Sequence, residues 1–486
     1  MLNININEID VKSVDAVLVP FFEGKLESKN KEIEAKIKRA EAKKIFKGAK
    51  SEVLVLDRTL EDGTVQDIIV LGLGKAEELT VDSMRKSFSK AVRELKAIKA
   101  KNVKVCLKNV ELSNVADLVK GLVEGMILGD YKFDKFKTAK KDNSDMVINL
   151  PEELSVAKET LEESVILAEG TIIARDLVNE PANIMVPSLL ADEAVKCGAK
   201  YGFEVEVKSL EEIKALGMEA FLSVAKGSIH EPKLIVMRYN GDSENLNKKQ
   251  GLVGKGLTFD TGGYSIKPST SMDTMKSDMG GSAAVIGAMS IIAERKLKKN
   301  VVAVVATCEN AISDKAYKPG DIIGSMGGKN IEILNTDAEG RLTLIDAVHY
   351  IITKENVDSV VDIATLTGAV LVALGTSTTG VLANEDKFYA ELQEASKSTG
   401  EDVWRLPITE EYKEMNKSKV ADLKNIGGRF AGSITAGLFI GEFVQDKPWM
   451  HLDIAGTSWT DASLPYSDLG ATGEGARILY ELVKRR

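Results

Sequence analysis

The sequence predicts an α/β protein: a smaller N-terminal α/β domain, then a larger α/β domain built on a central mixed sheet. Three observations lead there. The chain has 486 residues, more than the roughly 250 to 300 at which a single hydrophobic core stops growing. Short β-rich runs alternate with charged helical segments, the pattern of a sheet covered by helices. In the second part of the chain the strand-like runs are almost continuously apolar, as expected where both faces of a sheet are buried.

In order along the chain, VDAVLVPFF, SEVLVLD, VQDIIVLGLG and VKVCLKN read as strands within the first 150 residues. They are separated by helical stretches such as KEIEAKIKRAEAKKIF and SMRKSFSKAVRELKAIKA. From Asp142 to Glu153 the sequence turns polar, and a long helical pattern follows through SVAKETLEESVILAEGTIIARDLVNEPAN. The expected division is residues 1–150, a connecting helix over 151–180, and a second domain over 181–486. In that second domain KLIVMRY, QGLVGKGLTF, NVVAVVATCEN, DSVVDIATLTG and WMHLDIAG read as strands. Open sheets of this kind bind ligands beyond the carboxyl ends of their strands, so the polar residues just after these runs are the ones to examine.

Composition narrows the functional classes. The apolar fraction of 44% and charged fraction of 28% are those of an ordinary globular chain. The net charge is −9, and a count over residues 1–150 gives 28 basic against 24 acidic side chains. That small surplus does not make a phosphate-binding face, so nucleic acid is not an expected partner. Cys106, Cys197 and Cys308 are far apart and form no CxxC pair, which argues against a disulfide framework and fits a cytoplasmic protein. The uncharged run Ile363–Ala383 is long enough to span a bilayer, but it holds five Thr and three Gly. It reads as a buried strand followed by loop and helix, and no membrane association is expected.

Three segments concentrate the ionisable residues: GKGLTFDTGGYSIKP (254–268), MKSDMGGSAAV (275–285) and NTDAEGRL (335–342). Each places charge among glycines directly after an apolar run, and glycine permits the close backbone approach of a loop that wraps an ion. Together they supply Asp260, Asp278, Asp337 and Glu339, with Lys255, Lys267 and Arg341. Four carboxylates in one cleft repel one another unless cations neutralise them, and two divalent metals would do so. Paired metals can share and acidify a water and polarise a scissile carbonyl. The three histidines, His230, His349 and His451, form no HExxH, so the ligands are oxygen-rich and admit Zn, Mn, Mg or Co. His451, between Met450 and Leu452, reads as packed or as supporting a ligand, and Cys308 as core. LGLGK lacks the third glycine of a dinucleotide loop, and neither GxxxxGK[ST] nor GxSxG occurs.

NTDAEGRL resembles the signature octapeptide of the leucyl aminopeptidase (cytosol aminopeptidase) family of dinuclear metallo-exopeptidases. VGKGLTFDTGGYSIKP, MKSDMGGSAAV, ARDLVNEPAN, DIATLTGA, NIGGR and HLDIAGT resemble family blocks in the same order, over about residues 160–486. Thr261 and Ser282 stand where serine and alanine are frequent in the family. The resemblance implies a catalytic aminopeptidase domain over 181–486 behind a macro-like N-terminal domain of open role. It further implies two divalent metals per subunit, Mn or Zn foremost with Mg or Co as alternatives. Lys255, Asp260, Asp278 and Glu339 would hold one, and Asp260, Asp337 and Glu339 the other. By the same likeness Lys267 would stabilise the oxyanion, and Arg341 would hold a bicarbonate that serves as general base. Met275 would line the pocket for the first side chain, and Thr365 and Leu366, with Lys267, would contact substrate. The implied activity is hydrolysis of N-terminal leucine and other hydrophobic residues from short peptides, in a homohexamer.

Overall fold

The computed structural model describes residues 2–28, 30–107, 110, 114–139 and 145–486. Residues 140–144, which include the start of the polar stretch expected to mark the domain boundary, lie outside the described residues. The chain forms two compact units. One is Met1–Glu169 with Ala462–Leu469, the other Gly170–Asp461 with Gly470–Arg486. The change from one to the other falls inside the helix Lys158–Asn179, which follows a single 3-10 segment, Glu152–Ala157.

The first unit is built on a six-stranded sheet in the order Leu2–Ile6, Met146–Leu150, Asn102–Val105, Ala16–Phe21, Val65–Gly72 and Val53–Thr59. The strands are parallel except for the last, which pairs antiparallel at the edge. Helices Val81–Ala97 and Val115–Asp130 pack closely because the second presents Gly121, Gly125 and Gly129 along one face. A Cβ on Gly125 would lie 2.5 Å from the Arg85 carbonyl oxygen, so only glycine lets the backbones meet. Between them Arg85 Nε donates to Glu124 Oε2 at 2.7 Å, with both side chains fully buried.

The second unit carries an eight-stranded sheet. Its order is Asp402–Arg405, Thr378–Ala383, Trp449–Asp453, Ser359–Ala364, Gln250–Asp260, Asn300–Asn310, Lys233–Asn240 and Glu204–Lys208. The four central strands run parallel, from Trp449–Asp453 through Asn300–Asn310. Antiparallel partners flank them on both sides. The sheet is therefore mixed, and its four parallel carboxyl ends, at Asp453, Ala364, Asp260 and Asn310, open side by side. The uncharged run begins in Ser359–Ala364 and passes through a loop into helix Gly368–Leu374, as expected, and then continues into strand Thr378–Ala383. No helix among the described residues is long and apolar enough to cross a membrane.

Glycines fix how closely the helix Gly280–Glu294 approaches these strands. A Cβ on Gly281 would stand 2.0 Å from the Ile363 carbonyl oxygen and 2.9 Å from the Lys255 backbone nitrogen. Neither neighbour is a side chain that can swing away. Gly281→Ala is expected to destabilise the second unit by about 1–3 kcal/mol or more, read as a lowered melting temperature in the metal-free protein.

A second buried tether is Asp346, on helix Gly340–Thr353, which accepts from Phe221 N at 2.9 Å and Met326 N at 2.8 Å. Burial pushes its carboxyl up to about 7, against the pull of the backbone donors of Phe221, Met326 and Ala220. A folded-state pKa above the unfolded one means that folding takes up a proton, so the contribution is largest below about pH 4 and is lost as pH rises to 7. The melting temperature of wild type relative to Asp346→Asn should fall across that window and level off above it. A constant difference from pH 4 to 8 would contradict this.

Candidate active site

Lys255, Asp260, Lys267, Asp278, Asp337 and Glu339, from the three glycine-rich segments, meet at the carboxyl ends of the parallel strands. Lys255 and Asp260 lie on the strand Gln250–Asp260 itself, and Lys267 on the loop that follows. Asp278 lies on the 3-10 turn Met275–Met279, and Asp337 and Glu339 immediately precede helix Gly340–Thr353. Lys255 is only 2% exposed. Its Nζ lies 2.7 Å from Asp278 Oδ1, 3.0 Å from Glu339 Oε1 and 2.9 Å from the Thr365 carbonyl oxygen. Lys267 Nζ lies 2.8 Å from Asp260 Oδ2 and 2.6 Å from Asp337 Oδ1. The Asp337 contact is an ion pair without hydrogen-bond alignment, since that oxygen is otherwise unpartnered.

Asp260, Asp337 and Glu339 bring one oxygen each to within 4.8 Å of one another, an arrangement able to hold a cation. Asp278 stands outside that trio and joins it through Lys255, which touches both Asp278 and Glu339. Asp278 Oδ2 and Glu339 Oε2 are buried without a hydrogen-bond partner, a state that is costly for carboxylate oxygens unless a cation is to meet them. Four carboxylates faced by two lysines leave a deficit of positive charge. The donor set therefore fits divalent cations.

The electrostatics follow from the crowding. Burial pushes the Asp278 carboxyl well above the usual range, and the neighbouring charges of Glu339 and Asp260 add to it against Lys255. Asp260 and Asp337 are raised by burial first and by a neighbouring carboxylate second, Glu339 and Asp260 respectively. For Lys255 burial alone would lower the pKa, but the charges of Asp278, Glu339 and Asp260 outweigh it and hold the ammonium above its ordinary range. Lys267 is raised for the same reason, with Asp260 contributing most after burial.

The family profile described as cytosol aminopeptidase family, catalytic domain, matches residues 172–480, and that family's N-terminal domain matches residues 18–140. A probable cytosol aminopeptidase of Clostridium perfringens is 53% identical, with 100% of both chains covered. The chain belongs to the cytosol aminopeptidase family. Another probable cytosol aminopeptidase, from Alkaliphilus oremlandii, is 45% identical over 99% of each chain. Among solved structures, that of the bottromycin maturation enzyme BotP in complex with Mn superposes with a TM-score of 0.87 at 30% identity, covering 97% of this chain and 99% of that one. Membership in the cytosol aminopeptidase family makes this protein an aminopeptidase, a metal-dependent hydrolase acting at peptide N-termini.

Around this aminopeptidase site the remaining residues singled out in the sequence take different places. Arg341 is buried and donates from Nη1 to the Asn425 carbonyl oxygen at 2.8 Å, while its Nε has no partner. Burial lowers its pKa to about 10, with Glu339 and Asp453 pulling the other way. Thr365 donates from Oγ1 to Asp278 Oδ1 at 2.8 Å. Met275 is half-buried on the turn that carries Asp278, and Leu366 is half-buried beside the main core. His451 is fully buried, bonded through Nδ1 to Asp362, whose other oxygen accepts from Trp449 Nε1 at 2.6 Å. Cys308 lies in the core.

Residues that sequence reading did not single out knit the loops together. Asn310, at the end of its strand, donates from Nδ2 to Asp260 Oδ1 at 2.7 Å and to the Thr336 carbonyl at 3.0 Å. Ser265 and Thr336 bond reciprocally, each backbone N–H donating to the other's hydroxyl oxygen, at 2.8 and 3.1 Å. Asp453 Oδ1 accepts from the Leu366 and Thr367 backbone N–H groups and so anchors the loop after Ser359–Ala364. The available signal was positional, since Asn310 and Asp453 are polar residues closing apolar runs.

Gly340 shows how tightly Lys255 is enclosed, because a Cβ there would stand 2.3 Å from Lys255 Cε. Removing one partner of a buried ion pair leaves its carboxylates uncompensated, at about 3–5 kcal/mol. Lys255→Met is therefore expected to lower the melting temperature of the metal-free protein at pH 7 by several degrees. An unchanged melting temperature would show that Asp278 and Glu339 do not depend on this ammonium.

Proposed function

We propose that the protein removes N-terminal residues, leucine and other hydrophobic ones preferred, from short peptides at a site for two divalent cations. The observation that carries this reading is the convergence of Asp260, Asp337 and Glu339 to within 4.8 Å, extended through Lys255 to Asp278. In this reading Lys255, Asp260, Asp278 and Glu339 would hold one cation, and Asp260, Asp337 and Glu339 would hold the other. A lysine amine becomes a ligand only when neutral, and an adjacent dication supplies the drive for losing its proton. When bound, such a pair supplies Lewis acidity to the scissile carbonyl and acidifies a shared water. Manganese or zinc is the metal proposed, with Mg or Co as alternatives, and the BotP structure in complex with Mn supports the first.

The chain's own groups then divide the remaining work. Lys267, cationic and partly open to solvent, is placed to balance negative charge as it develops on the carbonyl oxygen, where a fixed charge stabilises the transition state most. Arg341, with Nε unpartnered, presents a guanidinium edge suited to a planar anion such as bicarbonate. Met275 forms a wall for the first side chain, and Thr365 and Leu366 offer backbone contacts to substrate. Assembly as a homohexamer in the cytoplasm is part of the same proposal, and nucleic acid is not.

Complete chelation should abolish hydrolysis of aminoacyl-anilides, and refilling with Mn or Zn should restore it. Activity that survives chelation would sink the two-cation reading. Lys267→Ala should lower kcat by about 100-fold or more while metal content, measured by elemental analysis, stays at the wild-type level. Loss of metal in that variant would assign Lys267 to cation binding instead.

A further inference from the structure

The sequence motifs account for the groups that line the site, but not for a fully buried carboxylate standing just behind them. Asp453, the last residue of strand Trp449–Asp453, is 0% exposed. Its Oδ1 accepts from the backbone N–H groups of Leu366 at 3.1 Å, Thr367 at 3.4 Å and Ala455 at 3.2 Å. Its Oδ2 accepts from Thr367 Oγ1 at 2.6 Å. All four partners donate, so the ionised form is the one the surroundings satisfy, and no lysine or arginine forms an ion pair with it among the described residues.

One of these donors has a second end. The Leu366 N–H and the Thr365 C=O belong to a single planar peptide unit. The N–H points at Asp453, and the C=O accepts from Lys255 Nζ at 2.9 Å. The same residue sends its Oγ1 to Asp278 at 2.8 Å. A carboxylate pulling on the N–H end polarises the peptide and strengthens its carbonyl as an acceptor, as hydrogen bonds in series do in a poorly solvated interior. It also fixes the plane of that carbonyl, hence the direction from which it can meet the amine.

We propose that Asp453 is a positioning residue for the Lys255–Asp278 half of the site, acting through the Thr365–Leu366 peptide. A neutral lysine amine has two N–H bonds and one lone pair. With one N–H held by the Thr365 carbonyl, the lone pair is restricted in the directions it can take. Asp453 thereby selects the orientation in which Lys255 can serve as a ligand and holds Asp278 alongside it. The other half, built on Asp260 and Asp337, is held by Asn310 instead and does not depend on Asp453. This inference rests on the two-cation reading above.

Asp453→Asn keeps the acceptor for the three N–H groups and leaves an amide facing Thr367 Oγ1, so it removes charge with little change of shape. The test titrates Mn into metal-free wild type, Asp453→Asn, Thr367→Val and Asp278→Asn by calorimetry, with kcat, KM and melting temperature measured beside it. Expected for Asp453→Asn is one site weakened about 10- to 100-fold, the range found for residues that orient ligands, with the other within about twofold. The surviving affinity should match that of Asp278→Asn, and kcat should fall while KM stays within about threefold. Thr367→Val, which leaves the Oδ1 contacts in place, should retain both sites. If Asp453→Asn fails to fold, Asp453→Glu, which keeps the charge but displaces it from the Leu366 N–H, carries the test, with the same loss confined to one site expected and unchanged binding overturning the proposal. A mere turn anchor predicts that Asp453→Asn and Thr367→Val lose melting temperature together without a selective effect on one site. That outcome overturns the proposal, as does equal weakening of both sites or unchanged binding in Asp453→Asn. Wild type that binds no Mn would bring down the two-cation reading itself, a result distinct from a defect confined to the variant.

Discussion

Like charges forced together at the ends of parallel strands are the constraint on which the rest of the second unit depends. Asp260, Asp278, Asp337 and Glu339 are withdrawn from solvent to different degrees, and among the described residues the lysines in ion-pair contact with them are Lys255 and Lys267. Repulsion of this kind would open a loosely built cleft. Here the backbone around it leaves little room to move. Gly281 lets a helix press onto the strands, Gly340 lets the next helix start against Lys255, and Gly262, at φ +83°, turns the loop so that Lys267 returns to Asp260. Rigidity in the scaffold and electrostatic strain in the site are two aspects of one design, in which cation binding relieves what folding has imposed.

The two lysines differ in what surrounds them, and the roles proposed for them rest on that difference. Lys255 is enclosed on all sides, with its amine spent on Asp278, Glu339 and the Thr365 carbonyl. Among the described residues Lys267 reaches Asp260 and Asp337, and it retains some exposure. The proposed division, an ion held by the enclosed amine and a substrate met by the more exposed one, follows that contrast.

Much of this was legible in the sequence because the relevant signals are local. Lys255, Asp260, Asp278, Asp337 and Glu339 sit among glycines next to apolar runs, and the parallel strand that carries Lys255 and Asp260 announces itself by hydropathy alone. The supporting shell was not legible. Asn310 finds Asp260 across 50 residues of sequence, through a strand register that pairs the two positions, and Asp453 finds the Leu366 N–H across 87. Such partners depend on which strands become neighbours, and no local pattern encodes that. The overlooked strands have a similar explanation. Leu2–Ile6 alternates half-buried and exposed positions and is too short and too rich in Asn to stand out. Thr378–Ala383 lies within an uncharged run that helix and strand share.

The segment Ala462–Leu469 folds with the first unit although it is flanked on both sides by the second. Tyr466 donates its hydroxyl to Asp82 at 2.9 Å, and the Pro465 carbonyl accepts from Ser89. A single cut between the units is therefore ruled out by chain connectivity. A fragment beginning at Gly170 would carry this excursion with its hydrogen-bonding surface missing, and a fragment ending at Glu169 would expose helix Val81–Ala97 where the excursion had lain. Moving either unit alone would therefore break the Tyr466–Asp82 and Ser89–Pro465 contacts or require new partners for them.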